Sequence, residues 1–402
     1  DPFDPLAFKQ AWQAVLNRHD SLRLQVMARP DADPVQVILR QQDLHWTSLD
    51  WRHKSVAQAK ADWADWMAED RRTGFDAYQG SLMRCTVAQA ADNCWYFLWS
   101  HHHLLTDGWC LSILLKEVLQ IYEARINNQD VKLDTPIPYQ NFIAWLLAQD
   151  KAQAITYWQQ KLTTLTMPTA LGIDRQTNGT AHLGTRSAGF KSLVRQLDEQ
   201  QTQALSTHVR AHGLTLSLAV QAAWAAVLQR YSGQSDVMFG VTTAGRPPAL
   251  AGVETMVGVF ITTLPVRTQI AARQSVEALL LQLRDDQLER EPFTHLSLVD
   301  IQQASGIDSR RALFDSLVVF ENYPIDDTLA NEQGSLLIED IEFAEQTNYA
   351  LTLTVQPGTS TRLHLAWPDA RFDSTAIEHL LDGLLDLLGS LPDYSNKTVR
   401  QW

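Results

Sequence analysis

The chain has 402 residues, 45% of them apolar, too many for one ordinary hydrophobic core, so two domains are expected, each burying a core of its own. A formal charge of -13 excludes a surface built to neutralise nucleic-acid or anionic-lipid phosphates, which needs clustered Lys and Arg. No apolar run reaches the roughly 20 residues of a membrane span, and the opening "DPFDPLAFKQ" lacks the basic-then-apolar pattern of a secretion signal, so a cytoplasmic setting is expected, with proteins or small molecules as partners, no nucleic acid and no membrane.

In chain order, residues 5–20 carry apolar residues at helical spacing, and "LRLQVMAR" and "PVQVILR" alternate like strands. A second helix is predicted over 55–72. "SLMRCTVAQA" and "NCWYFLWS" read as paired strands around a polar turn at Asp92-Asn93, and "DGWCLSILLKEVLQIYEARI" as a strongly apolar helix buried on more than one face. Two further helices fall between 139 and 162. Then "TMPTALGIDRQTNGTAHLGTRS" loses periodicity and fills with Thr, Gly and Pro, the best linker candidate, which divides the chain into 1–168 and 169–402. The second half resumes the same grammar: strands at 187–197, 236–245, 258–268, 314–322, 335–343, 349–358 and 361–368, and helices at 199–213, 216–233, 275–290 and 374–391. Two mixed α/β halves suggest a duplicated architecture, without a residue-level repeat. Cys85, Cys94 and Cys110 are odd in number and lack C-x-x-C spacing, so they read as buried small hydrophobes rather than disulfides or zinc ligands.

The most unusual stretch is "SHHHLLTDGW", residues 100–109, where a strand hands over to a helix. Alternate strand residues share a face, so only His101 and His103 could share a metal ion, and no third ligand is identified; no metal is expected. A structural reading has Thr106 or Asp107 capping the next helix and Gly108 permitting a tight turn. That accounts for Asp107 and Gly108 but not for three histidines on a strand with Trp95, Phe97, Leu98 and Trp99. A catalytic reading accounts for both.

His102 to Gly108 fits the HHxxxDG signature and resembles the condensation domains of nonribosomal peptide synthetases, relatives of chloramphenicol acetyltransferase and CoA-dependent acyltransferases. "RHDSLR" (Arg18–Arg23) resembles RHExLR, "YQNFIAW" (Tyr139–Trp145) resembles YxDFxxW, and "VGVFITTLPVR" (Val257–Arg267) resembles VGxFVNTxxxR. "EPFTHLSLVDI" and "DSRRALFDSLVVFENYP" resemble later motifs, the first with Thr294-His295 where the motif carries an acidic residue. Ahead of the RHExLR helix the family has a further stretch with an SxAQxRLW motif and a first strand; the chain opens without them, which puts the completeness of the N-terminal lobe in question.

The resemblance implies two chloramphenicol-acetyltransferase-like lobes in a V-shaped pseudo-dimer with a central tunnel, and a reaction in which the amine of one carrier-bound aminoacyl thioester attacks the carbonyl of another. Substrates would arrive on the phosphopantetheine arms of an upstream donor and a downstream acceptor peptidyl carrier protein, with an adenylation domain adjacent, no cofactor bound by the domain itself, and the domain monomeric. His103 is implied as general base or as the acceptor that orients the amine, the backbone N–H of Gly108 as an oxyanion donor, His102 as structural support, and Asp107 as an anchor paired with Arg18, or failing that Arg23. "DGWC", "FENYP" and "TNYALTL" look most like domains joining a donor ending in a D-residue to an L-amino acid, with Trp109 and Asn348 bordering the substrate tunnel. The alternatives are a stand-alone acyltransferase using CoA or another soluble thioester, and a non-catalytic domain that recruits carriers or tailoring enzymes.

Overall fold

The computed structural model describes residues 3–164, 168–174, 189–308, 311–321, 335–342 and 347–402. The chain divides into two compact units, one made of residues 1–148, 246–261 and 323–343, the other of 149–245, 262–322 and 344–402. This differs from a single division at 168. The helix over residues 151–162 joins the second unit because Trp158 and Leu162 are buried there with Met238, Leu264, Leu296 and Phe314, and two stretches of later sequence join the first.

In the first unit, α1 (Pro5–Arg18) starts where Asp4 accepts the backbone N–H groups of Leu6 and Ala7, with Pro5 at the first helical position. Its buried stripe of Phe8, Ala11, Trp12, Val15 and Leu16 shares a core with Leu114, Val118, Ile121 and Tyr122 of α2 (Trp109–Ile126). The sheet beside them has the order β1 (His45–Asp50), β2 (Met83–Ala91), β3 (Cys94–His101), the first pair parallel and the second antiparallel. Ala91 faces Cys94, so the chain turns at Asp92-Asn93 as expected. The strand His45–Asp50 has no counterpart in the sequence reading, and Cys94 is exposed rather than buried.

The second unit is built on a six-stranded mixed sheet, β4 (Phe190–Gln196), β5 (Asp236–Thr243), β6 (Thr262–Gln269), β7 (Ser316–Phe320), β8 (Leu351–Gln356) and β9 (Arg362–Pro368), in the order β4-β9-β8-β7-β5-β6. Leu216–Ser232 forms a helix whose residues 218–228 are all buried, which a stretch rich in alanine with Gln221 as its one polar side chain permits. The helix Ser374–Tyr394 packs Ile377, Leu380, Leu381, Leu384 and Leu388 into the same core. The strand expected at 335–343 does not form over the described residues 335–342: neighbouring Leu337 and Ile338 are both exposed, Leu337 at 86%, so no face alternates into a core. The linker expected at 166–187 lies mostly outside the described residues. Within it Leu171 is buried, and Thr169 accepts the Met238 N–H at 2.8 Å.

Candidate active site

His101 closes β3, and the chain then turns through residues 102–108 into α2. The turn is fixed by its own backbone: the His102 N–H donates to Leu82 at 2.8 Å, and the Leu105 N–H donates to the His102 carbonyl at 3.0 Å. His102 Nδ1 accepts the Leu104 N–H at 3.0 Å, so Nδ1 carries no proton. Burial, helped by His103, lowers the pKa of His102, in keeping with a neutral ring in that acceptor role.

His103 is exposed, and its Nδ1 lies 3.3 Å from the Thr106 carbonyl. A carbonyl only accepts, so Nδ1 is the donor and the neutral imidazole has its basic lone pair on Nε2. The loop therefore selects the tautomer as well as the position. His101 stacks on Trp99 with ring centroids 4.4 Å apart and meets His103 edge-on at 5.9 Å. Burial first, then the charges of His103 and His102, push the His101 pKa down to about 4. The unfolded chain takes up a proton at this residue near pH 6.5 and the folded one only near 4, so stability is lost as pH falls through that window, by about 3 kcal/mol in all. His101→Phe should flatten the fall of the unfolding midpoint between pH 6.5 and 4, measured by thermal denaturation across that range.

Asp107 is only 3% exposed and does not cap α2 with its side chain. One carboxylate oxygen accepts the backbone N–H groups of Phe260 at 2.8 Å and Ile261 at 3.1 Å, and the other accepts the Cys110 thiol at 3.3 Å. Its cation is Arg246, at 3.6 Å and 6% exposed. The expected partner Arg18 is engaged elsewhere: it forms an ion pair with Glu117 at 3.1 Å and donates to the Asp134 carbonyl. Arg23 donates to the carbonyls of Leu16, Asn17 and Leu39 and pairs with Asp20. Both cations are satisfied by backbone carbonyls and a carboxylate each, so neither is available to the turn.

Arg246 is the hub of the site, although its local sequence "AGRPP" signals only a turn. Its guanidinium donates to the carbonyls of Val253 and Met256 and to Cys110 Sγ, and lies 4.0 Å from the Phe260 ring centre. The segment 246–261 is thus tied to the start of α2 within the first unit. Gly258 on this segment is pressed against Tyr139: a Cβ there would lie 2.1 Å from the ring Cδ2, and the Tyr139 hydroxyl donates to the adjacent Val259 carbonyl. Gly258→Ala is expected to cost about 1–3 kcal/mol by overpacking, read as a lower denaturant midpoint at unchanged slope.

Gly108 has φ -60 and ψ -28, ordinary helical values, so the tight-turn argument for glycine does not hold. It stands at the N-cap of α2, where backbone N–H groups begin without helical partners and the dipole is positive. Trp109 donates its indole N–H to the Glu254 carbonyl at 3.2 Å, and Arg246 lies 5.6 Å from its ring. Asn348 lies in the bend before β8, in the second unit, and the tail of "FENYP" falls outside the described residues. Among the described residues no three His, Cys, Asp or Glu side chains are placed to hold a metal ion.

The family profile described as "Condensation domain" matches residues 1–402. The chain belongs to the condensation domain family. This condensation domain is 37% identical over 385 residues to a linear gramicidin synthase polypeptide of Brevibacillus parabrevis, with 96% of the chain matched, and 31% identical over 402 residues to bacitracin synthase 3 of Bacillus licheniformis, with 99% matched. It spans only 5% and 6% of those two relatives' lengths. Its fold matches a crystal structure of a four-domain nonribosomal peptide synthetase bound to AMP and glycine, with a TM-score of 0.81, 16% identity, and coverage of 99% of this chain and 31% of that one.

Proposed function

We propose that this condensation domain forms peptide bonds, transferring a carrier-bound peptidyl or aminoacyl thioester to the amine of an aminoacyl thioester on a downstream carrier. The acceptor nitrogen bonds to the donor carbonyl carbon, the C–S bond breaks, and the proton leaving nitrogen ends on the released phosphopantetheine thiol. An α-amino group titrates near 7.7–8.0 in water, so presenting it neutral at pH 7 costs only about 1 kcal/mol, and a thioester is already activated. Positioning then carries much of the rate.

The observation that carries this reading is the loop-held tautomer of His103. With Nδ1 donating to Thr106, Nε2 is the acceptor for an amine N–H, and the exposed ring leaves room for a substrate to reach it. Asp107 acts through structure, pinning the loop to residues 246–261, and His102 supports the turn. Gly108 offers its N–H to the oxyanion of the tetrahedral intermediate, backed by the α2 dipole. Trp109, at the head of α2, borders the acyl groups, and the likeness of "DGWC" and "TNYALTL" to one subtype supports a donor ending in a D-residue and an L-configured acceptor, with Asn348 also contacting substrate.

The test is a single-turnover assay with donor and acceptor thioesters loaded synthetically on carrier proteins. Product is expected on the acceptor carrier, with a D-terminal donor outpacing its L epimer. Equal turnover of free CoA esters without carriers would replace this reading by that of a soluble-thioester acyltransferase, and no turnover of either kind would favour a recruitment role.

A further inference from the structure

A recess of about 560 Å³ opens in the first unit between the helix Val56–Thr73 and the end of β1, and none of its lining residues belongs to the site described above. Leu49, Trp51 and Trp66 form its apolar wall. Trp51 is buried and meets Trp63 edge-on at 6.2 Å, and Trp63 stacks on Tyr96 at 5.3 Å, so packing fixes the Trp51 ring. Asp62, Asp65, Glu69 and Arg72 supply the rest of the lining. With Trp66 they recur three or four residues apart, which places them on one face of the helix.

The protein itself shows what such a wall holds. The Lys54 ammonium lies 4.7 Å from the centre of the Trp51 ring and pairs with Asp62, so a tryptophan face and a carboxylate of this helix together take an ammonium group. The same two ingredients recur one turn further on, in Asp65 and Trp66. Here no cation of the chain supplies the third: among the described residues no ammonium or guanidinium lies over the Trp66 ring, and the exposed Asp65 makes no ion pair or hydrogen bond. Glu69 is committed to Arg72, which leaves one positive group in the lining. That guanidinium repels a ligand carrying a second positive charge, whereas it donates readily to a peptide carbonyl.

We propose that this recess docks a lysine side chain of a partner polypeptide, its ammonium between the Trp66 face and the Asp65 carboxylate and its peptide carbonyl on Arg72. Further polypeptide is at hand in at least one relative, the linear gramicidin synthase chain of which the matching domain makes up only 5%. The site does not depend on the peptide-bond-forming reading.

The test follows the indole N–H signals of the nitrogen-15-labelled full chain by NMR at pH 7 and low salt, with Trp51→Phe and Trp66→Phe assigning two of them. The probe is a capped peptide with a single lysine between glycines. The Trp66 and Trp51 signals should move saturably with this peptide and stay in place when norleucine replaces the lysine. Asp65→Asn should bind the peptide about fivefold more weakly, while Glu378→Gln, the same charge change at an exposed position of the second unit, should bind as wild type does. Unmoved Trp66 and Trp51 signals overturn the site, as does an equal response to the norleucine peptide. Equal weakening in Asp65→Asn and Glu378→Gln reduces the effect to attraction by the chain's net charge and overturns it too. Butylammonium that binds as tightly as the peptide overturns the polypeptide as occupant and assigns the recess to a free amine.

Discussion

Replacing Asp107 by alanine is expected to destabilise the first unit by about 3–5 kcal/mol, a fall in unfolding midpoint of roughly 10 °C. The size follows from what is left behind. Phe260 and Ile261 lose the acceptor of their N–H groups, each costing about 1–3 kcal/mol when buried and unmet, and Arg246 loses its carboxylate in a site that water hardly reaches. Asp107→Asn should cost less, because its carbonyl can still accept both N–H groups. Its amide then points donors at the Cys110 thiol and Arg246, so a penalty of about 1–3 kcal/mol remains. Arg18→Ala leaves this network intact and loosens only the contact with Glu117, so the two alanine variants separate the observed tether from the one expected from sequence. Differential scanning calorimetry on the three variants makes the comparison.

His103→Ala is expected to lower the rate of peptide-bond formation by about 10²–10⁴-fold while leaving the unfolding midpoint within about a degree. The ring is exposed and its Nδ1 bonds to a carbonyl of its own loop, so its removal leaves no cavity in the core. Asp107 and His103 therefore divide the motif between them: one variant loses fold stability, the other loses rate. His103→Asn keeps a hydrogen-bonding side chain but no basic nitrogen. If His103 takes a proton, the asparagine variant is as slow as alanine; if it only orients the amine, the asparagine variant recovers part of the rate, as quenched-flow measurement of product on the acceptor carrier will show.

Much of this was legible in the sequence, for reasons that differ by element. Helices such as Pro5–Arg18 and Trp109–Ile126 announce themselves because their apolar residues recur at helical spacing and those residues are the buried ones. The hairpin at Asp92-Asn93 was equally open, because both flanking runs are rich in apolar and aromatic residues. The motif at residues 102–108 came from family resemblance; spacing alone left metal, capping and catalysis in play. What stayed hidden was long-range. Arg246 and the amides of Phe260 and Ile261 meet Asp107 from well over a hundred residues away, with no local pattern to mark them. The same return of the chain explains why two stretches of later sequence count with the first unit. Arg18 misled because an arginine at a helix end fits equally well with any carboxylate brought beside it, and Glu117, 99 residues further along, supplies one. Leu337 and Ile338 misled in the opposite sense, apolar in sequence yet exposed and unpaired as a strand.

The central claim is that His103 Nε2 meets the acceptor amine while Asp107 only holds the loop. A side-by-side single-turnover assay of wild type and His103→Ala, with donor and acceptor thioesters on their carriers and both proteins shown to unfold at the same temperature, tests it most directly. The account predicts a loss of at least about 100-fold in the rate of product formation. Product formed by His103→Ala at the wild-type rate would contradict it.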